Sequence, residues 1–146
     1  MHIKAKKIHP EAIIPSHLLR GDAGLDLCSV VDVTIKPGER ELVPTGLAFE
    51  LPAGYVALIW DKSGVAWKGG IKTMGGVIEH SYRGEYKIIM HNTGETDYIV
   101  KKGDKIAQML IQPIMSVEVE EATELSESVR GGHGFGSADE QGRNSE

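Results

Sequence analysis

Val31-Asp-Val-Thr-Ile-Lys36 places an apolar side chain at every second position, and Pro37-Gly38 closes the run. A period of two is that of a half-buried strand, because successive side chains point to opposite faces of a pleated chain. Pro-Gly then supplies a turn. Outward from this point the pattern repeats. Largely apolar stretches at 42–51 and 55–60 are split by Pro52-Ala-Gly54, and further strands fit 86–91, 98–101, 106–111 and 117–119. Turn signals punctuate them at Gly69-Gly70, Thr93-Gly94 and Gly103-Asp104. Many short strands with Gly and Pro between them predict an all-β sandwich or barrel. Only 106–111 could also be read as a helical turn, with 125–129 as another. No internal repeat is present.

From Ser126 onward the chain has almost nothing to bury, and four glycines surround His133 and Phe135. Such a tail is either disordered or ordered by a ligand. The expected organisation is therefore a β domain over 1–125 and a flexible glycine-rich arm over 126–146.

Composition narrows the partners. Sixteen Lys and Arg stand against 21 Asp and Glu, giving a net charge of −5. A general nucleic-acid binder would carry a basic face or tail, so none is expected as partner. One phosphorylated metabolite remains compatible, provided a few cations are placed locally and a divalent metal neutralises the rest. Cys28 is the only cysteine, so no intramolecular disulfide can form. The basic start Met1-His-Ile-Lys-Ala-Lys-Lys-Ile8 leads into His-Pro-Glu rather than an apolar core, and the longest apolar run falls far short of a membrane span. The expectation is a soluble, intracellular, cytoplasmic protein that engages no membrane.

Four local patterns could carry chemistry, and each has a bland alternative. In the arm, glycine amides could wrap a phosphate while Arg130 pairs with it and Phe135 stacks on a base; a plain flexible terminus fits as well. In Asp22-Ala-Gly-Leu-Asp-Leu27, Asp26 lies between two leucines and faces away from them on a strand, either into solvent or into a cleft where it could hold metal-bound water. Asp61-Lys-Ser-Gly-Val-Ala-Trp67 sets a cation, a hydroxyl and a flexible glycine at a strand end, as suits phosphate oxygens or a simple hairpin end. Gly75-Gly-Val-Ile-Glu-His-Ser-Tyr-Arg-Gly-Glu-Tyr86 reads as a β-hairpin turning at Gly84. Its Glu79, next to Val77-Ile78, would be partly desolvated and thereby raised toward general-base range.

Taken together, five segments in order resemble the trimeric dUTPase (deoxyuridine 5'-triphosphate nucleotidohydrolase) family: Ala23-Gly-Leu-Asp-Leu27, Lys62-Ser-Gly-Val-Ala66, Gly76-Val-Ile-Glu-His-Ser-Tyr-Arg-Gly84, Gly103-Asp-Lys-Ile-Ala-Gln-Met109 and Arg130-Gly-Gly-His-Gly-Phe-Gly-Ser137. Pro44-Thr-Gly-Leu47 lies between the first two in the same manner, and the resemblance runs from Ile8 to Ser137.

The resemblance implies a jelly-roll-like distorted barrel that forms a homotrimer with three shared sites. It implies hydrolysis of dUTP to dUMP and diphosphate by water attack at the α-phosphorus, keeping uracil out of DNA and supplying dUMP for dTMP synthesis. Glu79 would activate the water. Gly76, Val77, Ile78 and Lys87 would read the uracil through their backbone, and Tyr82 would lie against the deoxyribose. Lys62, Ser63, Gly64 and Gln108 would contact the phosphates, and Asp26 would reach Mg2+ through water. From another subunit, Phe135 would cover the base and Arg130 the terminal phosphate, with Gly136 and Ser137 in the same arm.

The chain departs from the family pattern in places. The water-activating residue is usually Asp, where Glu79 adds about 1.5 Å of reach. Asp61-Lys62 stands for the usual Pro-Arg, losing the bidentate fork. His133 replaces a glycine, and Ala138-Asp139 replace Thr-Gly. Glu79 leaves room for a catalytically weak, nucleotide-binding or regulatory relative. A dCTP deaminase shares the fold but carries a Glu on the following strand, where this chain has Ile89.

Overall fold

The computed structural model describes residues 1–134. Eleven strands and one short helix fall within Met1–Ser116, and a second unit begins at Val117. The strands are β1 (Lys4–Lys7), β2 (Leu25–Cys28), β3 (Val33–Ile35), β4 (Arg40–Pro44), β5 (Leu47–Glu50), β6 (Tyr55–Trp60), β7 (Ile71–Met74), β8 (Val77–Glu79), β9 (Lys87–Asn92), β10 (Tyr98–Val100) and β11 (Lys105–Pro113). The helix α1 spans Ser63–Gly69. Every pairing is antiparallel, in sheets of order β2-β11-β6-β8, β4-β9-β7, β1-β5 and β10-β3. The all-β class expected from the alternation is the one observed, and the jelly-roll-like form that the family resemblance implied fits it.

Alternation explains the core. Ile35, Val43, Ile88, Met90, Val100 and Met109 are all buried, while Thr34, Lys36, Glu41, Ile99 and Lys101 are exposed. Removing these apolar faces from water is what holds the short strands together, at roughly 25 cal/mol per Å². Asn92 lies among them fully buried, its Nδ2 donating to the Ile35 and Thr96 carbonyls at 2.8 Å each and its Oδ1 accepting from the Gly94 amide. A buried amide is tolerated because it is fully bonded.

The structure differs from the sequence reading in four places. The 42–51 run breaks into β4 and β5 at Thr45-Gly46, where Gly46 has a φ of 67°. A Cβ there would lie 2.6 Å from His9, so only glycine fits. Residues 62–70 contain α1, which no periodicity announced because seven residues are too few to show one. Residues 117–119 form no strand and 125–129 no helix, having no partner face to bury against. Residues 75–86 are not a hairpin: β8 pairs with β6, whereas β9 pairs with β4 and β7. This segment leaves the β7–β9 pair, adds β8 to the edge of the other sheet and returns, bridging the two sheets.

In the second unit the described residues up to 134 carry turns only, with the Gly131 amide donating to the Ser128 carbonyl and the His133 amide to the Arg130 carbonyl. Among the described residues no helix is long and apolar enough to cross a membrane.

Candidate active site

The bridge between the sheets borders an open cavity of about 840 Å³ lined by Val77, Ile78, Glu79, Tyr82, Tyr86 and Lys87, with Leu42, Gly75, Ser81 and Glu85 completing the wall. Its shape is set by glycine. The Ile59 amide donates to the Gly76 carbonyl at 2.7 Å, and a Cβ on Gly76 would sit 2.5 Å from the Ile59 carbonyl oxygen. Nothing but Gly76 lets β8 join β6 at that point.

On the far side the Glu85 carboxylate accepts from the Gly46 amide at 2.9 Å and lies 3.5 Å from the Lys87 ammonium. The Thr45 hydroxyl donates to the Tyr86 carbonyl at 2.6 Å. Pro44-Thr-Gly-Leu47 thus buttresses the cavity's outer strand. Tyr82 stands over Tyr86 with ring centroids 6.0 Å apart, and its hydroxyl donates to the Glu85 carbonyl at 3.2 Å. Phe49 closes this aromatic column from below, 4.7 Å from Tyr86. Burial pushes the Tyr86 phenol up to about 12, so it stays protonated.

Glu79 does not meet one expectation. Its side chain is exposed, because Val77 beside it is itself 65% exposed and covers nothing. Apolar neighbours in sequence desolvate a carboxylate only when they pack over it.

A second cavity, about 240 Å³, is lined by Leu18, Asp22, Ala23, Gly24, Asp26, Lys62 and Gln108. Asp26 faces into it from β2, opposite Gln108 on β11. Lys62, the residue before α1, donates to one Asp26 oxygen, and Lys105 bonds the other at 2.7 Å. Burial disfavours the charge on Asp26, but the Lys105 and Lys62 hydrogen bonds more than offset it and hold the carboxyl below its ordinary range. Gly24 permits this closeness, since its Cβ would lie 2.4 Å from the Gln108 side-chain oxygen.

Lys105 escaped the sequence reading. A bulge between Lys105 and Ala107 breaks the alternation, so Lys105 reaches Asp26 while Gln108 still lies opposite it in register. Ser63 and Gly64 open α1 and are exposed, with no side-chain cap on its first turn. Arg130 is exposed in the second unit, and Phe135, Gly136 and Ser137 lie outside the described residues.

The two cavities share no residue. Asp26 and Glu79 sit on the outer strands of one sheet, three strand spacings apart, or roughly 14 Å. Their registers on β11 and β6 differ by the four residues from Trp60 to Val56, adding about 13 Å along the sheet. Among the described residues no group of three His, Cys, Asp or Glu could hold a metal. Asp26 shares the smaller cavity with Asp22 and is already paired with the Lys62 and Lys105 ammonium groups, so this chain alone offers a cation no direct ligand set, and a cation there would depend on water and on a ligand's own oxygens.

Comparison with known proteins identifies the family. The dUTPase family model matches residues 10–139. The deoxyuridine 5'-triphosphate nucleotidohydrolase of Clostridioides difficile is 46% identical over 93% of this chain and 96% of its own length. That of Clostridium acetobutylicum is 48% identical over 94% and 96%. A mutant dUTPase of Staphylococcus bacteriophage 80alpha, solved with dUpNHpp, superimposes with a TM-score of 0.89 at 28% identity, covering 94% of this chain and 98% of that one. A mutant dUTPase of phage phi11 of S. aureus, described as coordinating a structural Mg(II) ion, has a TM-score of 0.82 at 25% identity over 87% of this chain. With the fold, the ordered motifs and relatives matched along nearly their full length in agreement, the chain belongs to the dUTPase family.

Proposed function

We infer that this member of the dUTPase family hydrolyses dUTP to dUMP and diphosphate by attack of water at the α-phosphorus, with the nucleoside and phosphate ends of the substrate held by two different cavities. The observation that carries the reading is the division of labour between them. One is a half-apolar cavity with backbone edges and a tyrosine; the other is smaller, with Lys62, Gln108, Asp22 and Asp26 in its wall and Lys105 paired to Asp26. The reaction removes dUTP from the nucleotides available for DNA synthesis and supplies dUMP for dTMP synthesis.

In the larger cavity, backbone groups of Val77, Ile78 and Lys87 read the uracil edge, with Gly76 part of the same substrate-binding stretch just before β8. A fixed backbone rejects cytosine's amino group because a wrong partner leaves buried polar groups unpaired. Tyr82, held by Glu85 and backed by Tyr86, lies against the deoxyribose. Glu79 at the rim takes the proton from the attacking water. Its exposure in the single chain leaves it open to burial by a partner subunit.

Lys62 and Gln108 in the smaller cavity, with Ser63 and Gly64 at the adjoining start of α1, contact phosphate oxygens and stabilise the charge that develops on them. Asp26 would hold Mg2+ through water, and the metal would supply positive charge to the triphosphate. A solved phage relative described as coordinating a structural Mg(II) ion shows that a member of the family binds this metal.

The gap between Glu79 and Asp26 is far wider than the few ångströms over which both would act on one phosphorus. This supports a homotrimer in which each site combines two chains, with the arm bearing Arg130, Phe135, Gly136 and Ser137 closing it from a third. The test is Glu79→Gln. dUpNHpp binding should persist while kcat falls by about 10²-fold or more. Full turnover in that variant would remove Glu79 from its role.

A further inference from the structure

We propose that Asp61 is a positioning residue for the phosphate end of the site, acting as the clamp that fixes both Lys62 and Gln108. The inference rests on the reading that these two residues contact the substrate's phosphates.

Asp61 occupies the junction where β6 ends and α1 has not begun, a point at which backbone ladders no longer hold the chain. Its side chain takes over. One carboxylate oxygen accepts from the Thr73 amide and from the Thr73 hydroxyl, each at 2.7 Å, while the other takes the Lys72 ammonium. Thr73 belongs to β7 of the neighbouring sheet and is buried, so the anchor is rigid. The carboxyl is partly buried, which opposes its charge, yet the bonds from Lys72 and Thr73 hold it below its ordinary range.

Two consequences reach the smaller cavity. The Gln108 side-chain amide donates to the Asp61 carbonyl at 2.8 Å, which turns its oxygen toward Gly24 and fixes the rotamer. Lys62 follows directly in the chain and reaches Asp26. Neither contact involves the larger cavity, whose lining contains neither Asp61 nor Thr73. Loosening Asp61 should therefore blur the phosphate end while leaving the nucleoside end intact.

That asymmetry supplies the experiment. Affinities for dUMP and for dUpNHpp with Mg2+ are measured by calorimetry on the full-length protein carrying Asp61→Ala, Asp61→Asn, Thr73→Val or Gln108→Ala. Asp61→Ala should weaken dUpNHpp at least tenfold and change dUMP less than twofold. Asp61→Asn keeps an oxygen that accepts from both Thr73 donors and should restore most of the lost affinity. Thr73→Val removes one donor without touching the segment and should fall between them.

Equal weakening of both nucleotides by Asp61→Ala would mark a merely structural role and overturn the proposal. So would unchanged dUpNHpp affinity in Asp61→Ala alongside a loss in Gln108→Ala. If Gln108→Ala itself leaves dUpNHpp unaffected, the phosphate reading falls and this inference falls with it.

Discussion

Asp26 and Glu79 lie on opposite edges of one four-stranded sheet, facing different cavities. If each active site draws one from each of two chains, inactive variants should complement. Asp26→Asn and Glu79→Gln homo-oligomers are each expected to turn over slowly. Unfolded together in equal amounts and refolded, they should recover about one quarter of wild-type activity, since each site draws its two residues independently. Absence of any recovery would place both groups in a site built by one chain.

Tyr86 carries a buried hydroxyl with no hydrogen-bond partner. An unsatisfied buried donor costs more than the same site without it. Tyr86→Phe keeps the ring against Phe49 and Tyr82 and should stabilise the protein by about 1 kcal/mol, raising Tm by roughly 2–4 °C. A drop in Tm would mean that the hydroxyl is satisfied in solution.

These two residues also show what the sequence made legible. Strand alternation around Val33 and Ile35 exposed the fold class, because burial on one face leaves a period of two. The motifs around Asp26, Lys62 and Glu79 were visible by residue type, and Gln108 only through the family resemblance. Lys105 was not, because a bulge has no signature in a single sequence. The pairing of β8 with β6 rather than β9 was also hidden: Gly84 suggested a tight turn, and only packing against Ile59 selects the other partner. Glu79's exposure likewise depends on which faces meet, which neighbours in sequence do not encode.

Asp26 makes stability depend on pH with a definite sign. Its carboxyl is held below the ordinary 3.8 when folded, so the folded state favours the charged form. That contribution is present above about pH 4 and is lost as pH falls through the folded value. Urea midpoints at pH 6 should therefore differ between wild type and Asp26→Asn, and the difference should shrink by pH 3. A difference that stays constant over that range would show that the lysine pair does not set the carboxyl's ionisation.

Gly76→Ala tests how the larger cavity is built. The new methyl would meet the Ile59 carbonyl, which is backbone and cannot rotate aside. The strain should cost about 1–3 kcal/mol and push β8 away from β6. Chemical denaturation reads the first effect and dUMP affinity the second. Unchanged dUMP binding would separate β8 from nucleoside recognition.

The buried core draws its residues from Ala12 to Met109, within the strand-built unit Met1–Ser116. Ending the chain at Val129 removes no core residue, so the thermal transition should be unchanged. It does remove Arg130 and the glycine-rich segment assigned to the terminal phosphate and the base. Turnover should then fall by about 10²-fold or more, as expected when water is no longer excluded and phosphate charge is left unpaired. Measured diphosphate release at wild-type rate from this truncated, fully folded protein would show that the site closes without the arm.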